Sequence, residues 1–152
     1  MARLLEHFDN LVSLFLTRAQ EKGDAPFLWA KKNGGWQPVS WRVAAESVAS
    51  LAAALNGIGL GRGDTVVLVS ENRPEWLIAD LAIMAAGCVT VPTYTTNTER
   101  DHQHILDDSG ARAAIVSTQK LAKNLLPAVF RSSQCEDVIG FEALPGGQWG
   151  GS

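Results

Sequence analysis

The side chains in this sequence that could do chemistry gather where apolar runs give way to polar turns. Tyr94-Thr95-Thr96-Asn97 follows one such run. In an open parallel sheet, the carboxyl ends of the strands face the ligand crevice. These four hydrogen-bonding residues could touch a ligand there or cap the next helix, and Tyr94, Thr95 and Thr96 are taken as candidate substrate contacts. Glu71, Arg73 and Glu75 surround another turn of the same kind, where tying the turn together is the expected role. Lys120 and Lys123 lie three apart on one helical face and could meet a phosphate, although a solvated face is the commoner use of such a pair.

Other reactive residue types point away from catalysis. His102 and His104 flank Gln103, which puts them on different faces of a helix where they cannot share a metal; a solvated or half-buried helix face is expected for them. Asp107 and Asp108 sit near a helix C-terminus, electrostatically a poor place for carboxylates, and are expected to face solvent. Cys88 and Cys135 have neither metal nor redox spacing. Cys88 falls in an apolar strand pattern and reads as a small buried residue in a reducing cytoplasm. The sequence has no GxxxxGK[ST] loop, GxGxxG turn, nucleophile elbow or zinc-spaced His/Cys set. The string Gly57-x-Gly59-x-Gly61-x-Gly63 precedes an apolar run, so its amides are not aimed as a dinucleotide site requires, and it reads as a plain loop.

The elements that must position these residues follow from periodicity. Asp9 or Asn10 can cap a helix that shares Leu11, Leu14, Phe15 and Ala19 on one face and stops at Gly23. Residues 27–31 and 36–40, joined through Asn33-Gly34, predict a hairpin. Ser40 caps a second helix with Ala44, Val48, Leu51, Ala52, Leu55 and Ile58 along one stripe. Thr65-Val66-Val67-Leu68-Val69 reads as a strand covered on both faces. Pro74 suits a helix first turn, and residues 76–86 are apolar nearly all round, as a buried helix would be. The next strand covers 88–92, with Pro92 expected to close it. Thr98 and Asp101 resemble a capping box for a helix that turns Ile105 and Leu106 inward and ends at Gly110. A strand over 113–116 and a helix over 120–131 follow. Leu121, Leu125, Leu126 and Val129 face inward on that helix, and Pro127 is expected to kink or shorten it. A last strand starts near Val138. This order predicts an α/β fold: a mostly parallel sheet flanked by helices, with an N-terminal β-hairpin. Residues 1–144 form one subdomain, and 145–152 form a flexible Gly-rich end.

Composition sets outer limits. The sequence has 152 residues, 46% hydrophobic and 19% charged, with a formal net charge of −3. That balance suits a globular chain and gives no clustered basic footprint for nucleic acid. The longest apolar run is far short of the ~20 residues that span a bilayer. The first ten residues carry Glu6, His7 and Asp9 where a secretory signal would be apolar.

Three strings carry a family resemblance: Gly63-Asp64-Thr65-Val66-Val67, Ser70-Glu71-Asn72-Arg73-Pro74-Glu75-Trp76, and Ala85-Ala86-Gly87-Cys88-Val89-Thr90-Val91-Pro92. Tyr94-Thr95-Thr96-Asn97-Thr98 and Ile105-Leu106-Asp107-Asp108-Ser109-Gly110-Ala111 continue it. Their order and spacing resemble the N-terminal region of AMP-forming acyl-CoA synthetases, and the detail is most like bacterial long-chain fatty acid–CoA ligases. The resemblance runs from about residue 10 to residue 140. It implies a partial N-terminal lobe of an adenylate-forming ligase. The full-length parent would use ATP, magnesium and coenzyme A to convert a fatty acid to its adenylate and then its thioester. The resemblance places Lys120 and Lys123 near the coenzyme A phosphates. The partners it implies are the ATP-binding and C-terminal domains of the same chain, a fatty acid substrate and peripheral membrane association of the parent.

The family's phosphate-binding loop, its adenine and magnesium motif, its hinge acid and its C-terminal lysine do not occur here. No catalytic and no metal-binding residue is therefore assigned, and the chain alone is expected to be inactive, to bind no cofactor and to self-associate through uncovered apolar surface. The alternatives are a free-standing α/β binding or interaction module, and a ligase of the same superfamily acting on another carboxylic acid.

Overall fold

A computed structural model describes residues 7–144. The expected Gly-rich end at 145–152 lies outside the described residues. Most helices begin where a side chain replaces the carbonyl that a first-turn amide lacks. Asn10 Oδ1 accepts from Ser13 N at 2.9 Å to open α1 (Leu11–Lys22), and Ser40 Oγ accepts from Val43 N at 3.1 Å to open α2 (Trp41–Gly57). Pro74 begins α3 (Pro74–Ala85) in the first turn, where its missing N–H costs nothing. The Thr98–Asp101 capping box is complete at α4 (Glu99–Ser109), and Thr118 caps α5 (Gln119–Arg131).

The strands are β1 (Pro26–Lys32), β2 (Gly35–Ser40), β3 (Thr65–Val69), β4 (Val89–Thr93), β5 (Ala113–Val116) and β6 (Asp137–Gly140). β1 and β2 form the expected antiparallel hairpin. Asn33 and Gly34 both hold positive φ, 49° and 78°, as a two-residue turn of this hand demands. The other four strands form a parallel sheet in the order β4-β3-β5-β6.

Alternation along β3 divides the core into two layers. Val66 and Leu68, with Ala113 and Ile115 of β5, join Val48, Leu55, Ala82 and Ile83 from α2 and α3. Val67 and Val69, with Ala114 and Val116, join Leu106 of α4 and Leu125 of α5. Each large aliphatic side chain so buried contributes about 1.5–3 kcal/mol. The hairpin is fastened to the first layer by three rings: Phe27 lies 3.9 Å from Trp41 and 5.5 Å from Phe15, centroid to centroid.

Several expectations are corrected. Leu11 and Ile58, at the ends of their stripes, are exposed. Cys88 is buried but precedes β4, and its thiol donates to Gly61 O at 3.4 Å. Pro92 does not close β4, because Thr93 still pairs with Val69. Val89 N donates inward to Asp64 O, so by alternation Thr90 and Pro92 turn their nitrogens to the sheet's outer edge, where a missing N–H is tolerated. Pro127 neither ends nor shortens α5, which runs on to Arg131. Leu125, Ala128 and Val129 are buried on either side of it, and their packing outweighs the one hydrogen bond that a proline forfeits.

Candidate functional site

The strand order reverses direction between β3 and β5. The chain leaves β3 for α3 in one layer and leaves β5 for α5 in the other, which opens a crevice at their carboxyl ends. Ser70-Glu71 and Ser117-Thr118 face each other across it. Ser117 is fully buried, and its Oγ donates to Glu71 Oε2 at 2.6 Å. That bond is the main reason the Glu71 carboxyl lies below its ordinary range; burial opposes it, and the Glu71 backbone, Arg73 and Lys120 add to the lowering. Glu71 is therefore an anion at neutral pH and accepts from the buried hydroxyl.

The neighbouring charges are committed to one another. Arg73 Nε donates to Glu75 Oε2 at 2.9 Å, and the guanidinium lies 5.9 Å from the centre of the Phe141 ring. The bond to Glu75 raises Arg73 further, so its charge is permanent. Burial pushes Glu75 upward, and the hydrogen bond and charge of Arg73 outweigh it, leaving the carboxyl lowered. Across the crevice, Gln119 N donates to Glu142 Oε2 at 3.3 Å and Gln119 Nε2 donates to Ala143 O at 2.7 Å. Arg73 and Glu75 thus tie the β3–α3 turn internally, while Glu71 reaches across to β5.

The candidate substrate contacts lie on the loop after β4. Tyr94 is 80% exposed, Thr95 is half-buried and Thr96 is exposed. Asn124 Nδ2 donates to Asn97 O at 3.3 Å, which fastens this loop to α5 next to Lys123. Lys120 and Lys123 are both exposed in the first part of α5. Lys120 acts on Glu71 through its charge. The β4 loop and the start of α5 therefore form one rim of the crevice, and the Glu71–Ser117 bond lies between that rim and the β3–α3 turn.

The remaining candidates separate from this edge. His102 is not on a solvated or half-buried face: it is 2% exposed, packed on the inner side of α4 one turn before Leu106, whereas His104 faces outward. Burial holds the His102 imidazole below its usual range against a weaker pull from Asp101, and Nδ1 has no hydrogen-bond partner. Asp107 and Asp108 are exposed, and Asp107 accepts from Gln103 Nε2 at 3.2 Å. Burial pushes the Cys135 thiol up to about 11 and also raises Cys88, so neither supplies a thiolate at neutral pH.

The glycine string lies at the opposite, amino edge of the sheet. There Asp64 accepts from Gly61 N at 2.9 Å and from Arg112 Nη1 at 3.1 Å. Gly87, at φ 85°, lets the backbone of Arg62 pack close by: a Cβ at Gly87 would sit 3.5 Å from Arg62 Cα. Among the described residues, no group of three or more His, Cys, Asp or Glu converges as a metal ion requires. Among the described residues, no helix is long and apolar enough to cross a membrane.

Sequence reasoning missed Ser117. Ser117-Thr118 follows a strand at its carboxyl end just as Tyr94-Thr95 does, and that signal could have found it.

Comparison with known proteins gives the family and the fold. Residues 15–146 match the model of a family described as AMP-binding enzyme. The chain is 34% identical over 117 residues to the long-chain fatty acid–CoA ligase FadD15 of Mycobacterium tuberculosis, covering 77% of this chain and 19% of that protein. It is 33% identical over 129 residues to a long-chain fatty acid–CoA ligase of Salmonella typhimurium, covering 84% of this chain and 22% of that protein. The chain thus spans about a fifth of the length of these relatives. Among solved structures, it is similar to the N-terminal subdomain of NpsA from Klebsiella oxytoca, with 31% identity, a TM-score of 0.62, and 70% of this chain and 27% of that one covered. The fold also matches the long-chain fatty acid–CoA ligase FadD1 of Archaeoglobus fulgidus at a TM-score of 0.76 and 19% identity, covering 91% of this chain and 28% of that one.

Proposed function

The chain belongs to the AMP-binding enzyme family, and on that premise we propose that it is a structural lobe of a long-chain fatty acid–CoA ligase whose chemistry is completed by further polypeptide. In that reaction a carboxylate oxygen of the acid attacks the α-phosphorus of ATP, and pyrophosphate leaves. The coenzyme A sulfur, having lost its proton, then attacks the acyl carbon, and AMP leaves. Both steps need cations and amide donors gathered around developing charge.

The observation that carries this reading is an open apolar trough of about 530 Å³ beside the edge strand β6. Leu51 and Ile58 of α2, Leu126 and Phe130 of α5, and Val138 and Ile139 of β6 line it. An edge strand that is uncovered among the described residues, next to an apolar trough, offers both backbone pairing and a place to bury side chains. We assign it as the seat of the next segment of the ligase, with self-association as the result when the seat is empty.

Within this reading, Tyr94, Thr95 and Thr96 are proposed as substrate contacts at the carboxyl edge. Lys120 and Lys123 are proposed as partners of the coenzyme A phosphates, because both are exposed cations at the start of a helix. Substrate chemistry is borrowed from the named relatives. A ligase acting on an aromatic acid stays the second reading, since the same fold carries the anthranilate CoA ligase AuaEII at a TM-score of 0.77 and 20% identity.

Pyrophosphate release across a panel of acids tests the proposal. A protein carrying this lobe with the family's later motifs should prefer long-chain acids, and the 152-residue chain alone should release none. Acyl-adenylate formation by the 152-residue chain would overturn the scaffold reading, and a preference for aryl acids would favour the second.

A further inference from the structure

The open margin of β6 carries a charge pattern that apolar burial alone does not explain. Glu136 and Asp137 line the trough together with its apolar residues, and no Lys or Arg does. Among the described residues, neither carboxylate has a cation within 4.0 Å. Arg112, whose carbonyl accepts from Glu136 N, directs its guanidinium to Asp64 instead. Glu136 is exposed and Asp137 is half-buried, so both acids stand within reach at the amino end of the edge strand.

The walls of the trough limit what can lie beside β6. Leu51 and Ala54 belong to α2, on the side of the sheet that receives Ile139, whereas Leu126 and Val129 belong to α5, on the side that receives Val138. A strand added at β6 therefore enters between two helical layers and is covered on both faces, as β3 is. Strands so placed are continuous apolar runs. The amides of Asp137 and Ile139 point outward to such a strand, because Glu136 N donates inward to Arg112 O and donors alternate.

Charge then selects among apolar runs. Opposite charges facing each other on neighbouring strands attract, and like charges repel. A second copy is a poor occupant, since joining two β6 edges brings Glu136 and Asp137 of both chains to one seam. Residues 145–152 contain neither Lys nor Arg, so they cannot neutralise the pair.

We infer that the trough and the β6 edge receive an extended polypeptide segment, apolar on both faces, with Lys or Arg at the end that lies beside Glu136 and Asp137. The cations pair with the two carboxylates while the apolar run is buried between α2 and α5. This rests on the trough being the seat of a further segment, as proposed above.

Peptide titration of the 152-residue chain tests it, read by nuclear magnetic resonance at the amides of residues 137 and 139. The probes are blocked peptides with a run of about five Val, Ile and Thr residues. Two lysines stand at one end or the other, or two glutamates replace them. The better lysine peptide should bind roughly tenfold tighter than its glutamate counterpart, and the difference should shrink in high salt. Glu136→Lys/Asp137→Lys should reverse the preference, and Glu136→Gln/Asp137→Asn should level it. Both positions reach solvent, and an unchanged far-ultraviolet spectrum establishes that the variants fold. Equal affinity for lysine and glutamate peptides at these amides would overturn the inference and leave the seat in place. No binding of any peptide would remove the seat itself, and the inference with it. A dimer that shields these amides and that the lysine peptide does not dissociate would assign the place to a second copy. Peptide binding that appears only in Trp149→Ser would assign it to residues 145–152. Either result overturns the inference.

Discussion

Ser117 Oγ and Glu71 Oε2 stand 2.6 Å apart across the carboxyl ends of β3 and β5, joining residues 46 positions apart. The bond spans the point where the chain switches from one helical layer to the other. One partner is fully buried and the other reaches solvent, so its strength depends on the ionisation of Glu71.

Ser117→Ala should therefore lower stability by about 1 kcal/mol, the net worth of one charge-assisted hydrogen bond discounted for the solvent side of Glu71. Glu71→Gln should lose less, because the amide oxygen still accepts. Glu71 is lowered from 4.5 in the folded chain, so its contribution is complete above that value and disappears as pH falls through the folded value. Urea midpoints in neutral and acidic buffer should show the parent converging on Ser117→Ala in acid. A difference between the two that stays constant with pH would contradict this account.

His102 should produce the opposite kind of titration. Its folded form is neutral and lowered from 6.5, so the unfolded chain binds the proton more readily. Stability is then lost as pH falls below 6.5 towards the folded value. Between about pH 7.5 and pH 5.5 the parent should lose stability that His102→Leu keeps. With Nδ1 already unpartnered, the leucine variant gives up no hydrogen bond at that atom. Parallel pH profiles for parent and variant would remove His102 from the explanation.

Pro127→Ala should stabilise the chain by about 1 kcal/mol, since residue 127 regains an N–H for the Lys123 carbonyl and the ring is relieved inside α5. Thermal unfolding reads this directly, and a drop in midpoint would show that the proline ring is needed in the packing beside Leu125 and Ala128.

Leu68→Ala, in the middle of the sheet and fully buried, should cost roughly 3 kcal/mol. Leu11→Ala, on an exposed position of α1, should stay within about 0.5 kcal/mol. Both leucines belong to apolar patterns in the sequence, and only the fold separates them; comparable losses in urea melts would place Leu11 in a core it does not occupy here.

That contrast marks how far the sequence could be read. Strand 65–69, strand 113–116, the Asn33-Gly34 turn and the caps at Asn10, Ser40 and Thr98 were all legible, because each depends on neighbours within a few residues. Burial at the ends of stripes was not legible: Leu11 and Ile58 repeat the apolar period, but among the described residues no element covers them. Pro127 does not shorten its helix although local chemistry disfavours it there, because tertiary packing on either side holds the helix to Arg131. His102 was readable from the same stripe, since it stands one turn before Leu106, but its polar ring argued against burial. In the candidate site, Glu71 was noticed and Ser117 was not. Their pairing depends on β3 and β5 being neighbours, and no local pattern encodes that adjacency.

Pro92 has one more effect. Its nitrogen sits on the outer margin of β4, where it can offer nothing to an incoming strand, whereas Asp137 and Ile139 on the far margin keep their amides. Polypeptide arriving to widen the β4-β3-β5-β6 ribbon thus finds a donor missing at residue 92 of one border and donors in place at residues 137 and 139 of the other, which biases enlargement towards β6.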